Sequence, residues 1–277
     1  MSHIVCYPLA ATAIKSYSPD LMVHPYLGCS NTNSSFDTIS STALSRISPL
    51  LSRLHTLVIG PGLGRDPATL FTVANLIIEA RKRGLELVLD ADALLVVQET
   101  PSLVSGYNGA VLTPNKAEFA RLCAALKVET KIEPMEANGE EKGEQCAQLA
   151  RALGGVTVLQ KGEQDWISNG NTTLECTVTG GNKRSGGQGD TLSGCVGTFL
   201  AWKNAYLNNL WDHDGALKKE DLTLLSAFGA SAITRMCSRR AFQKKGRAMQ
   251  ASDLPTELPD VFKDLFECAE EDIEKQL

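Results

Sequence analysis

Short apolar runs alternate with amphipathic helical stretches through most of this chain, and that rhythm restricts the fold more than any other feature. Residues 55–60 read His-Thr-Leu-Val-Ile-Gly, a strand closing on Gly and Pro. Asp66-Pro67 then has the form of a helix start, with Asp as N-cap and Pro at the first helical position. Leu70, Val73, Ala74, Ile77 and Ile78 repeat at helical spacing. Gly84 ends that helix, and residues 85–89 form the next strand, closed by Asp90. A further strand is predicted at 109–113, followed by a helix carrying Phe119, Leu122 and Leu126, and a fourth at 156–160. Buried strands joined through helices imply right-handed βαβ crossovers and a mostly parallel sheet, with helices on both faces of an α/β layer structure. Residues 165–168 and 172–179 flank Asn169-Gly170, a hairpin turn signal, so the sheet is expected to gain an antiparallel edge. Two long helices are predicted near 190–201 and 220–239. Residues 2–7 read as a strand, and 28–48, rich in Ser, Thr and Asn, as a loop or weak helix.

At 277 residues the chain can bury a substantial core without covalent staples. Its net charge of −5 offers no general attraction to nucleic acid or an anionic membrane, so neither is expected as a partner. No apolar run approaches the roughly 20 residues that span a bilayer. The eight cysteines contain no C-x-x-C pair and read as small buried hydrophobes in a reducing compartment. No secretory signal or transit peptide precedes the first strand, and a cytoplasmic protein is expected.

In open parallel sheets, ligands bind beyond the carboxyl ends of the strands. Four strands here end in Gly60-Pro-Gly-Leu-Gly64, Asp90-Ala-Asp92, Thr113-Pro-Asn-Lys-Ala-Glu-Phe119 and Lys161-Gly-Glu163, which suggests one shared crevice. The strongest segment is Lys183-Arg-Ser-Gly-Gly-Gln-Gly-Asp-Thr-Leu192. Gly186, Gly187 and Gly189 let the backbone turn tightly before a helix whose Leu192, Cys195, Val196, Phe199 and Leu200 face the core. The first amides of that helix lack internal partners and sit at the positive end of its dipole, an anion hole suited to a transferring phosphate. Asp190, in the first turn, is the candidate catalytic base for a substrate hydroxyl. The alternative is a Gly-rich connection with Asp190 capping the helix. No G-x-x-x-x-G-K-[ST] is present, and 60–64 lacks the dinucleotide fingerprint spacing, so it also reads as a plain strand-to-helix turn. Asn115 and Glu118 have capping-box spacing.

Together these residues resemble the ribokinase-like superfamily. More narrowly, Val58-Ile-Gly-Pro-Gly-Leu-Gly-Arg-Asp66, Leu89-Asp-Ala-Asp92, Leu112-Thr-Pro-Asn-Lys-Ala-Glu-Phe-Ala-Arg121 and Ser185-Gly-Gly-Gln-Gly-Asp190 closely resemble the ATP-dependent (S)-NAD(P)H-hydrate dehydratases, from about residue 2 to about residue 266. The resemblance implies a ribokinase-like fold in which 1–277 is one catalytic domain, with 129–144 an exposed insertion and 267–277 an acidic tail. It implies a lyase that repairs hydrated NADH or NADPH with ATP and Mg²⁺, phosphorylating the C6 hydroxyl and eliminating phosphate. Its partner is this small molecule, and a homo-oligomer is compatible with it.

Carried onto matching positions, the resemblance assigns Gly64, Asn115, Lys116, Ala117, Glu118, Phe119, Ala120, Arg121 and Asp190 to the hydrated dinucleotide. It assigns Lys161, Gly162, Glu163, Gln164 and Asp165 to ATP, together with Gly180, Gly181, Asn182, Lys183, Arg184, Ser185, Gly186, Gly187, Gln188 and Gly189. Glu118 would reach Mg²⁺ through water. Asp92 would order the crevice or a metal-bound water, with a buried hydrogen-bonded carboxylate the alternative; His24 reads as structural. Family members usually begin with a further strand, a turn with Tyr-x-Gly-Ala and a helix. The chain is therefore expected to lack its N-terminal strand and part of the pocket wall, and a mitochondrial form would carry a different N-terminus. The competing readings are a kinase of the same fold acting on a vitamin-type alcohol, and an inactive truncated form.

Overall fold

The computed structural model describes residues 2–30, 34–129 and 139–267. β1 (His3–Val5) and β2 (Met22–His24) pair in parallel as a small separate sheet, joined through α1 (Pro8–Lys15). The main sheet has six strands in chain order: β3 (Thr56–Ile59), β4 (Glu86–Leu89), β5 (Ala110–Leu112), β6 (Thr157–Gln160), β7 (Asp165–Ser168) and β8 (Thr173–Cys176). β3 to β6 run parallel, and β7 and β8 turn back antiparallel through Asn169-Gly170.

That order decides where the helices go. Parallel neighbours laid down in sequence, with crossovers of one hand, put every connecting helix on the same face. α3 (Pro67–Lys82), α4 (Ala93–Glu99), α5 (Lys116–Ala125) and α6 (Gly139–Ala152) share that face, with α2 (Phe36–Leu51) packed on α3. The opposite face is left to α7 (Gln188–Leu207) and α8 (Leu222–Lys245), buttressed by α9 (Leu258–Phe262). Alternate strand residues feed the two cores. Leu87, Leu89, Leu112 and Val158 pack on the first face. Val88, Val111, Leu159 and Ile167 pack on the second. A sheet covered on both faces has room for polar groups only at its strand ends.

The turn after β3 shows how closely the backbone is drawn in there. Gly60 has φ of 124°, and a Cβ on it would fall 1.7 Å from the Asp90 carbonyl oxygen. The Asp90 amide in turn donates to the Ile59 carbonyl at 3.0 Å.

The structure decides between the two readings of 28–48 in favour of a helix. Ser35 caps a sixteen-residue helix, its side chain accepting from the Thr38 amide. Ile39, Ala43, Ile47 and Leu51 line its buried face four residues apart. The Ser and Thr residues that suggested a loop mostly occupy its outer face. α7 and α8 both run longer than expected. Residues 130–138 lie outside the described part, but α6 starts at Gly139, inside the expected insertion, and Gly143 is buried against the Trp166 ring. The expected acidic tail beyond residue 267 also lies outside it. Seven cysteines are described, all free, and all but the half-buried Cys29 are buried. No helix among the described residues is long and apolar enough to cross a membrane.

Gly60→Ala tests the turn. The variant is expected to lose at least about 3 kcal/mol of stability in urea unfolding, through overpacking and a strained φ; a parental midpoint would show that the turn tolerates a side chain.

Candidate active site

Three elements converge where the covered sheet ends: β4, β6 and the start of α7. Asp90 follows β4 and is only 2% exposed. Its Oδ1 accepts from Lys161 Nζ at 2.7 Å and from the Ala91 amide at 2.8 Å. Its Oδ2 accepts from Ser193 Oγ, in α7, at 2.5 Å. Lys161, just past β6, is fixed by its own amide donating to the Pro114 carbonyl at 2.9 Å. α7 begins from Gly187, whose φ of 93° only glycine holds easily. The amides of Gly186, Gly187 and Gly189 donate to no protein group among the described residues. A Cβ on Gly189 would lie 3.3 Å from Lys161 Nζ. The free amides of Gly187 and Gly189, the start of the helix dipole and an ammonium therefore lie together in one cleft, a ready site for an anion.

A cleft of about 850 Å³ opens from that point, toward the large end of small-molecule sites. One wall comes from the turn after β6, a second from residues 177–185 and a third from the start of α5. α8 pins the first two. Arg235 Nε donates to the Val178 carbonyl at 2.5 Å, Nη1 to Asp165 Oδ1 at 3.0 Å, and Nη2 to the Glu163 carbonyl. Ser231 Oγ donates to Asp165 Oδ2 at 2.7 Å, and the Gly162 amide donates to Asp165 Oδ1 at 2.9 Å. Lys183 Nζ anchors the glycine-rich loop on the carbonyls of Arg247 and Met249, at 2.7 and 2.6 Å. The Asp190 carboxylate makes no hydrogen bond among the described residues, and the residue lines the cleft. Burial, and then the negative charge of Asp90, raise its pKa above the ordinary carboxylate value, while Lys161 opposes the shift. A carboxylate so placed is a stronger base than a surface aspartate.

The profile of NAD(P)H-hydrate dehydratase matches residues 1–260. The chain belongs to that family. An ATP-dependent (S)-NAD(P)H-hydrate dehydratase of Neurospora crassa is 52% identical over 280 residues, covering 96% of this chain and 79% of the relative. The protein of that name from Bos taurus is 42% identical over 267 residues, covering 96% and 74%. Among solved structures, a ribokinase-like superfamily protein of Enterococcus faecalis superposes with a TM-score of 0.65 at 18% identity, covering 95% of this chain and 76% of that one. Hydroxyethylthiazole kinase from Pyrococcus horikoshii gives 0.58 at 18%, covering 93% and 86%. The fold is ribokinase-like.

Of the residues assigned through the dehydratase family, Asn115, Lys116, Glu118, Lys161, Gly162, Glu163, Gln164 and Asp165 line the cleft. So do Gly180, Gly181, Asn182, Lys183, Arg184, Ser185, Gly187, Gln188, Gly189 and Asp190. Gly64, Ala117, Phe119, Ala120, Arg121 and Gly186 do not. Within 115–121, residues of the first turn of α5 line the cleft, and the Phe119 side chain is fully buried in the core. Asn115 and Glu118 form the capping box, the carboxylate Oε2 accepting from the Asn115 amide at 2.8 Å. Asp92 lies outside the cleft lining, accepting from the Gly64 amide at 3.2 Å and from Arg65 Nε at 2.8 Å. His24 stacks on His3, their ring nitrogens 2.9 Å apart, remote from the cleft lining. The pinning residues Arg235, Ser231 and Ser238 were not anticipated. Ser231, Thr234, Arg235 and Ser238 recur at helical spacing on α8, and that polar stripe was the available signal.

Gly189→Ala adds a methyl beside the Lys161 ammonium at a helical position. Thermal stability is expected to stay within about 1 kcal/mol of the parent, because alanine favours a helix. ATP-dependent turnover is expected to fall about 10- to 100-fold through displaced phosphate. Turnover equal to the parent would remove that amide from the reaction site.

Proposed function

We propose that this chain dehydrates hydrated NADH and NADPH at the expense of ATP. The observation that supports it best is the unpartnered Asp190 carboxylate standing in the first turn of α7, beside free amides and Lys161. The amides of Gly186, Gly187 and Gly189 and the Lys161 ammonium bind the terminal phosphoryl group of ATP. Gly180 to Ser185 and Gly162 to Asp165 cradle the rest of the nucleotide. Asp165 shapes that cradle, since both its oxygens are already taken by Gly162, Arg235 and Ser231. Asn115, Lys116 and Glu118 hold the hydrated dinucleotide on the facing wall.

Asp190 takes the proton of the C6 hydroxyl as its oxygen attacks the γ-phosphorus, and ADP leaves. The C6 oxygen, now a phosphate ester, is a good leaving group. The ring-nitrogen lone pair expels it as phosphate, and loss of a proton from C5 restores the C5=C6 double bond. No metal-ligating cluster of three or more acidic, His or Cys side chains occurs among the described residues. Glu118 lines the cleft with one oxygen outside the capping box and would reach Mg²⁺ through water, the phosphates supplying the direct ligands. When bound, Mg²⁺ neutralises charge on the phosphate oxygens.

Incubation with hydrated NADH, ATP and Mg²⁺ is expected to yield free phosphate and the absorbance of NADH. A stable phosphorylated alcohol would instead assign the chain to kinase chemistry. Asp190→Asn is expected to lose about 10²- to 10⁴-fold in kcat, the range for a general base; parental turnover would exclude Asp190 from that role. The acid limb of the rate profile is expected above the ordinary carboxylate range, because Asp190 must be deprotonated to act and burial and Asp90 raise its pKa. A limb at or below the ordinary carboxylate value would contradict this.

A further inference from the structure

We propose that Asp90 is a positioning residue of this site, fixing the Lys161 ammonium and the start of α7 in one arrangement around Asp190. The inference rests on the reaction proposed above. Asp90 takes its three donors from three different places: Lys161 after β6, Ser193 in α7 and the amide of Ala91. The backbone around it is held in unusual geometry. Ala91 has φ of 47°, a region that residues with a Cβ seldom occupy, and Gly60 is crowded against the Asp90 carbonyl. Such strain persists only where surrounding contacts over-determine it, and it clusters at functional sites.

The other buried pair on β4 makes a useful contrast. Glu86, at the opposite end of the strand, meets Lys203 at 2.7 Å, with both side chains 9% exposed. Neither lines the cleft, so that pair serves packing alone. Lys161 is different. Its side chain is 20% exposed, it lines the cleft, and it lies directly against Gly189. A lysine ammonium is a compact charge on a flexible stem. Tethered from beneath by Asp90, it stays where the free amides of α7 point. Ser193 Oγ lies 2.9 Å from the Gly189 carbonyl as well as 2.5 Å from the carboxylate, which ties the first turn of α7 to the same anchor. The charged groups that act on Asp190 are Asp90 behind β4 and Lys161 after β6. Asp90 therefore also disfavours the ionised form of the base and makes it more avid for a proton.

The test is a double-mutant cycle of Asp90→Asn and Lys161→Met, read with hydrated NADH, ATP and Mg²⁺, with ATP affinity measured separately by calorimetry. Asp90→Asn is expected to lower kcat about 10- to 100-fold, as loss of an orienting partner does. Its acid limb is expected to move to lower pH, because a negative charge beside Asp190 is gone. The double variant is expected within about threefold of Lys161→Met, since residues acting through one ammonium are lost together. Additive losses, or an unmoved acid limb, would overturn the proposal. A parent without turnover would refute the reaction but not this inference, which the same cycle in ATP affinity then decides by the same additivity rule. Should Asp90→Asn fail to fold, Ser193→Ala keeps the charge and removes one donor. A kcat lowered about three- to tenfold in protein that remains folded is then expected, with some loss of thermal stability, and parental kcat would overturn the proposal.

Discussion

A carboxylate cannot be stripped of water and left charged unless donors replace what water supplied. Asp90 meets that demand at the one edge of the sheet where three elements come together. Much of the local backbone follows from it. The close approach of β3 to the Asp90 carbonyl requires glycine at position 60. The turn after β4 runs through a positive φ at Ala91 to bring that amide back to the carboxylate. α7 is tied in at its second turn through Ser193, and with it the amides that face the cleft.

The remainder of the site is assembled on the two helices that the strand order excludes from the first face. Because every crossover up to β6 consumes that face, α7 and α8 cover the other one alone. α7 points its amino end at the strand termini. α8 lies beside β6, β7 and β8, near enough for Arg235 and Ser231 to hold the turn after β6 and the strand leading into the glycine-rich loop. A loop of many glycines is costly to order. Here the cost is met in advance by Lys183 and Gln188, bonded to fixed carbonyls, and by Ser238, which accepts from Gly181. A nucleotide entering the cleft then meets walls already formed.

The elements easiest to read in the sequence were those with an unmixed signal. Asp66-Pro67, Asn169-Gly170 and the apolar runs of β3 to β6 each matched one local rule, and the structure follows them. α2 was obscured because Ser and Thr are common both in loops and on wet helix faces; its apolar spacing of four residues was the better guide. The stretch 115–121 illustrates a different limit. A motif runs along the chain, but a helix turns its residues through a full circle, so Phe119 belongs to the core while Asn115 and Glu118 reach the cleft. Asp90 and Asp92 are two residues apart and look equivalent in sequence. Only the tertiary structure separates the buried one on Lys161 from the outer one on Gly64 and Arg65. Arg235 lies seventy residues from Asp165, and no local rule could join them.

Charge distribution links this geometry to the class of ligand. The chain carries a net −5, yet Lys116, Lys161, Lys183 and Arg184 all line one cleft. Lys161 and Lys183 have protein partners, whereas Lys116 and Arg184 have none among the described residues. Unpaired cations on opposing walls repel one another weakly in the empty cleft and gain most when a polyanion comes between them. ATP and a dinucleotide are both polyanions, and the proposed transfer of a phosphoryl group between them would concentrate negative charge at the point where α7 begins. The attraction for a small polyanion thus follows from where these unpaired cations stand rather than from the net charge of the chain.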